Sequence, residues 1–233
     1  MAAKTVEQRL AEVENRCVRN EDYIQIMNVI NKSTYYAMAG MSQEMHKELF
    51  AKTTPIRITL GDQGYWEGMG IGKRYEEFMG LGMSGTVEER KKTMLGFMSI
   101  HPAMCHVIEV AKDGKTAKAV ILSMGIVAGN MGGKPSSNWE YDKLAFDFIK
   151  ENGQWKYWHH HCYTLLRWRT DEKWEDQFKP KVLPPEMANR PRMKMDGPTR
   201  EGDDNPYRPD TMQRMVPPMP EPYETWTDNT YIY

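Results

Sequence analysis

The chain has 233 residues, enough for one domain with a sizeable core plus extra segments. Its 32 acidic and 31 basic residues leave a formal charge of −1, which argues against non-specific nucleic-acid binding. No apolar run is long enough to cross a bilayer, and the polar start MAAKTVEQRLAEVENR has no signal-peptide core. Cys17, Cys105 and Cys162 are odd in number and lack CxxC spacing, which fits free thiols in a reducing cytosol, so the expected location is cytoplasmic.

In chain order, Thr5-Val6-Glu7-Gln8 reads as a capping box that opens a helix with Val6, Leu10, Val13 and Cys17 on one stripe. Asn20, Glu21 and Asp22 predict a break, and a second helix runs from Tyr23 through Tyr35 to a left-handed cap at Gly40. A third helix, MSQEMHKELFA, precedes a Thr-Thr-Pro turn. Residues 55–60 alternate like a first strand, and Gly64–Gly68 reads as a turn and short strand leading to a helix at GKRYEEFM. Thr86 to Glu89 is another capping box, opening the helix ERKKTMLGFM. Four strands follow, at 105–110, 116–127, 140–150 and 155–167, with Asp113-Gly114 and Asn152-Gly153 as turn signals. Helices first and an antiparallel meander after predict an α+β fold.

Beyond residue 176 the composition turns to proline, glycine and charge. Residues 1–176 are therefore read as one domain, and 177–233 as a proline-rich extension that packs on it or on a neighbouring subunit through Tyr223, Trp226, Tyr231 and Tyr233.

The chain has no P-loop and no nucleophile elbow, and Met69-Gly70-Ile71-Gly72 lacks the third glycine of a dinucleotide fingerprint. The informative segment is Trp155 to Tyr163, which contains His159, His160 and His161. Strict alternation puts Trp155, Tyr157, His159, His161 and Tyr163 on one face. Lys156 is expected to reach solvent, which aims that first set inward and sends Trp158, His160 and Cys162 outward. Two inward histidines beside tyrosines suit an apolar ligand carrying hydroxyl or carbonyl groups; packed core histidines are the plainer reading. A zinc site built from His159 and His161 with His101 or His106 is a third reading, but no carboxylate or cysteine falls at a recognised spacing. His101, at a strand rim, is a candidate acid or base. Tyr35 and Tyr36 can donate to a substrate oxygen. Asp147, inside an apolar strand, needs a partner, either a histidine on the next strand or, as a purely structural pair, an arginine. Tyr65, Trp66 and Trp139 are candidate ring contacts.

The order of a helical hairpin, a strand ending YWEG, the GKRYEEF helix, His101, HVIEVAKDGKTAKAV and YDKLAFDFIKENGQWKYWHHHCY resembles the SnoaL-like branch of the nuclear transport factor 2-like superfamily over about residues 5–170. That resemblance implies a cone-shaped α+β barrel, with the N-terminal helices packed in a curved antiparallel sheet around a cavity. Relatives include scytalone dehydratase, bile-acid dehydratase and diarylpropane lyase, and His101 matches the cavity base that several members use. The dehydratases often pair that base with an aspartate, and Ala39 stands at the matching place here.

The resulting expectation is a lyase with no cofactor and no metal. It would remove water or a small fragment such as formaldehyde from a hydroxylated aromatic or polycyclic compound. His101, Tyr35, His159, His161 and Asp147 are the catalytic candidates, and Tyr36, Tyr65, Trp66, Trp139 and Tyr157 the substrate contacts. The alternatives are a non-catalytic binding or assembly module of the same fold and a metal-dependent enzyme. A homodimer or homotrimer through the open sheet face is expected, with Trp158 and His160 in the contact, and no nucleic-acid or membrane partner.

Overall fold

The computed structural model describes residues 4–61, 63–70, 86, 88–89, 92, 95–131, 134–178, 195–200 and 206–227. The GKRYEEFM segment, Tyr231 and Tyr233 lie outside them. No described helix is long and apolar enough to cross a membrane.

Helix α1 runs over Val6–Met38 and α2 over Ser42–Leu49. Thr5 caps α1 as its capping box predicts: its hydroxyl accepts from Gln8 N, and the Gln8 side chain accepts from Thr5 N at 2.9 Å. The expected break near Asp22 is absent. Asp22 is buried and accepts instead from Trp155 Nε1 at 2.9 Å and Lys150 Nζ at 2.5 Å. A tertiary partner thus takes the carboxylate that would otherwise have capped a new helix.

Seven described strands form one sheet: β1 (Ile56–Leu60), β2 (Gly64–Gly68), β3 (Met98–Ile100), β4 (Ala103–Val110), β5 (Thr116–Met131), β6 (Lys134–Glu151) and β7 (Gln154–Arg169). Their order is β2-β1-β7-β6-β5-β3, with β4 also on β5. The pairings are antiparallel except β1 with β7, which run parallel, so the sheet is mixed rather than purely antiparallel. Such a pair needs a long connection, and everything between residues 60 and 154 supplies it. The segment read as a helix at 89–98 has already turned into β3 by Met98, after Gly96 at φ +80°. The predicted turn at Asn152-Gly153 joins β6 to β7, with both residues at positive φ as a primed hairpin turn requires.

Ile26 and Ile30 of α1, Leu49 of α2, Ile58, Phe146, Phe148 and Tyr157 pack into one core between the helices and the sheet's inner face. On β6 the even-numbered residues from Glu140 to Phe148 face inward. On β7 the parity changes twice. Asp147 pairs with His159 but Phe148 with Tyr157, leaving Trp158 as an extra residue. Tyr141 pairs with Leu166 but Asp142 with Thr164, leaving Leu165 extra. Each bulge shifts the side-chain alternation by one. Trp155 and Tyr157 therefore point inward, then His160, Cys162 and Thr164, then Arg167.

The tail lies along the outer face. Tyr65 N donates to Gly197 O at 3.0 Å, Tyr207 N to the bulged Leu165 O at 2.6 Å, and Lys112 N to Tyr223 O at 3.1 Å. Trp226 packs on Trp158 and His159, with ring centroids 4.6 and 5.7 Å apart.

Candidate active site

A cavity of about 450 Å³ opens between α1 and the inner face of β5, β6 and β7. Ile121, Leu144, Phe146 and Tyr157 give it apolar walls, and Ser33, Thr34 and Ala37 of α1 close one side. Tyr157 Oη lies 3.1 Å from Ser33 Oγ, so the ring is fixed at both ends.

His101 sits in the two-residue link between β3 and β4 and lines this cavity. Thr34 Oγ1 donates to its carbonyl at 3.0 Å and ties the link to α1. Its ring lies against Gly125 of β5, where a Cβ would come 2.3 Å from His101 Cδ2. Only glycine leaves that space. On one side Nδ1 lies 3.3 Å from Ser99 Oγ; on the other, Nε2 lies 3.1 Å from Glu140 Oε2. The tautomer protonated on Nε2 donates to Glu140 and leaves Nδ1 to accept from Ser99.

Glu140 is buried and also bonded to Arg167, whose Nε lies 2.8 Å from Oε1. Burial pushes the Glu140 pKa up, but the His101 hydrogen bond and the Arg167 charge outweigh it, and the net direction is down. Asp142, two residues along the same face, goes the other way. It is 3% exposed, and burial followed by the Glu140 charge raises its pKa. Among the described residues its Oδ1 has no hydrogen-bond partner. The two neighbouring carboxyls below His101 are thus biased in opposite directions, Glu140 toward its ionised form and Asp142 toward its protonated form. Cys162 also lines the cavity, but burial, then the Asp142 charge, pushes its thiol well up, which disfavours a thiolate nucleophile.

Of the residues read from sequence as catalytic or substrate-contacting, the structure brings only His101 and Tyr157 to the cavity wall among the described residues. His159 and His161 are on the outer face, because the bulge at Trp158 shifts the alternation that had aimed them inward. His160, expected outside, lines the cavity. Asp147 does meet a histidine on the next strand, with His159 Nδ1 2.9 Å from its Oδ2, but the pair lies beneath the tail. Tyr35 is 69% exposed and points to solvent. Tyr36 donates to Glu48 on α2. Tyr65 lies under the Arg57 guanidinium, 3.8 Å from the ring centroid. Trp66 is fully buried core, and Trp139 packs on Trp168 across the outer face. Ala39 is an exposed C-cap; Thr34 is the α1 residue bonded to the His101 link, and Ala37 lines the same cavity. Glu140, Asp142 and Arg167 went unnoticed in sequence. The alternation of acids at 140 and 142 was a usable signal, but only strand pairing brings them to His101.

No family model and no curated protein matches the chain. Solved structures match its fold. A scytalone dehydratase-like protein from Novosphingobium aromaticivorans superposes with a TM-score of 0.52 at 14% identity, over 68% of this chain and 93% of that one. Hexachlorocyclohexane dehydrochlorinase LinA-type3 from Novosphingobium barchaimii gives 0.51 at 10% identity, over 71% and 99%. At such identities the likeness is one of fold, the α+β cone that the sequence resemblance implies.

Proposed function

We propose that the cavity is the active site of a small-molecule lyase in which His101 is the base and Asp142 the acid. The observation that supports this most is the His101–Glu140 pair at 3.1 Å, open to a cavity beside a buried carboxyl that favours its protonated form. In a dehydration, Nδ1 of His101 takes a proton from carbon, directly or through Ser99. The C–H electrons become the new double bond as the C–O bond breaks. The departing oxygen takes the Asp142 proton and leaves as water. Glu140 stabilises the imidazolium that forms. The apolar walls fit a hydroxylated aromatic or polycyclic substrate, and about 450 Å³ suits one ligand of modest size. A non-catalytic module predicts no ionisable pair within hydrogen-bond reach in the cavity, so this geometry favours the enzyme.

The test is a panel of hydroxylated aromatic and polycyclic compounds, followed by ultraviolet absorbance for new conjugation and by mass for loss of water or formaldehyde. His101→Ala, Glu140→Gln and Asp142→Asn are compared with the parent. Turnover in the parent that all three variants match would rule the assignment out.

A second reading rests on one distance. The ligand atoms of His101, Glu140 and Asp142 lie within 4.8 Å of one another, close enough for a divalent cation. Arg167 already places positive charge against Glu140 and competes with it. Elemental analysis of untagged protein distinguishes the readings: a stoichiometric metal lost in Asp142→Asn favours the second.

A further inference from the structure

The first half of α1 has no work to do in the cavity domain. Every residue from Lys4 to Glu21 is exposed, and the helix meets the core only from Asp22 onward, through Asp22, Ile26, Val29 and Ile30. At about 1.5 Å per residue, Val6 to Asn20 projects about 21 Å before that contact. Yet this arm carries a stripe that is apolar except at Asn20. Val6, Leu10, Val13, Cys17, Asn20 and Ile24 are spaced 4, 3, 4, 3 and 4, which is the a/d repeat of a coiled coil. Val6, Leu10, Val13 and Ile24 are 53 to 74% exposed. At 3.6 residues per turn the stripe falls about half a turn from Ile26 and Val29, so it faces away from the domain rather than extending its core.

The flanking charges say what would cover it. With Leu10 and Cys17 at a, the e positions are Glu7, Glu14 and Glu21, and the g positions are Arg9 and Arg16. In a parallel pair each g residue meets the e residue five positions later on the other helix. Arg9 would meet Glu14 and Arg16 would meet Glu21, twice over by symmetry. In an antiparallel pair g meets g and e meets e, which sets arginine against arginine and glutamate against glutamate. Among the described residues Arg9, Glu14, Arg16 and Glu21 have no ion-pair partner within the chain. We infer that the projecting arm of α1 is a dimerisation element, and that its occupant is the same arm of a second copy, parallel and in register.

Asn20 at a d position weakens such a seam while fixing its register. Three heptads make a short coiled coil, so the dimer is expected to dissociate on dilution. Each domain packs on the side of its own helix turned away from the partner, so both fit at the same end. This interface differs from the expected one through the sheet, whose outer surface at Trp158 is covered by Trp226 of the same chain. It is also independent of the cavity chemistry.

The test is sedimentation of the full chain over a concentration series, with thermal unfolding as the control for the domain. The parent is expected to pass from monomer to dimer as concentration rises. L10E/V13E is expected to remain monomeric with an unchanged unfolding temperature, since both side chains are exposed in the monomer. R9E/R16E and E14K/E21K are each expected to be monomeric alone and to form a heterodimer when mixed. In a Cys105→Ser background a short bismaleimide is expected to join two copies through Cys17, and adding Cys17→Ser abolishes the product. A chain that stays monomeric throughout the series overturns the inference. So does a dimer untouched by L10E/V13E, a failure of the charge-reversed pair to associate, or a dimer that Cys17 does not link.

Discussion

Two histidine–carboxylate pairs are set on opposite faces of the sheet, each with its carboxylate on β6. His159 and Asp147 sit beneath Trp226 with Lys118 nearby, where burial pushes Asp147 well up and His159 down to about 3. That pair is buried, and both shifts favour its uncharged forms. His101 and Glu140 meet at nearly the same separation, but the His101 hydrogen bond and the Arg167 charge lower the Glu140 pKa, and the cavity gives access. The residue types are the same; the surroundings make one pair a structural tie and the other a candidate catalytic unit.

That contrast can be broken in graded steps. The largest effect is expected from His101→Ala, which should lower turnover by about 10² to 10⁴-fold, the usual contribution of a positioned acid or base, with little change in unfolding temperature. His159→Ala should do the reverse. Removing the hydrogen bond on the fully buried Asp147 Oδ2 should cost about 1–3 kcal/mol in denaturant melts and leave turnover per folded molecule intact. Gly125→Ala should push the His101 ring aside and reduce turnover by about 10²-fold for a displacement of about 1 Å, while the chain still folds by circular dichroism. Equal activity in Gly125→Ala would mean that ring placement is not limiting.

A pH titration sharpens the comparison further. His46 is buried against Phe50, and burial, then the Lys52 and His160 charges, hold its pKa down to about 3. The unfolded chain binds this proton near 6.5, so the unfolded state holds more protons between the two values. Stability from this group is complete above about 6.5 and is lost as pH falls toward 3, by about 1 kcal/mol per pH unit. Turnover should instead fall as pH rises through the raised Asp142 pKa, because that carboxyl loses the proton it donates. The smallest effect is expected for Tyr35→Ala, within about 0.5 kcal/mol in stability and without change in turnover, because that ring is in solvent.

The fold was largely legible from sequence because its signals are local. The Thr5 capping box, the Asn152-Gly153 hairpin and the order of helices before strands need only neighbouring residues to be read. His101 could be picked out through the resemblance. The faces of β7 could not, because a bulge leaves no trace in residue types: Trp158 and Leu165 look like any strand residues until β6 is laid beside them. The same holds for Glu140, Asp142 and Arg167, which are 39, 41 and 66 positions from His101 and become a group only through cross-strand pairing. The parallel contact of β1 with β7 joins segments about 100 residues apart and has no local signature either.

The bulge at Trp158 bears on how such a chain can diverge. Deleting that one residue would leave Tyr157 inward, His159 outward and His160 inward as before. The cavity lining can thus be inherited unchanged while the strand gains or loses a position. Two relatives with the same inner face would then differ by a gap in mid-strand, where aligned sequences are expected to run unbroken. Kinship at this site is better traced through the inward-facing residues, taken alone, than through the continuous chain.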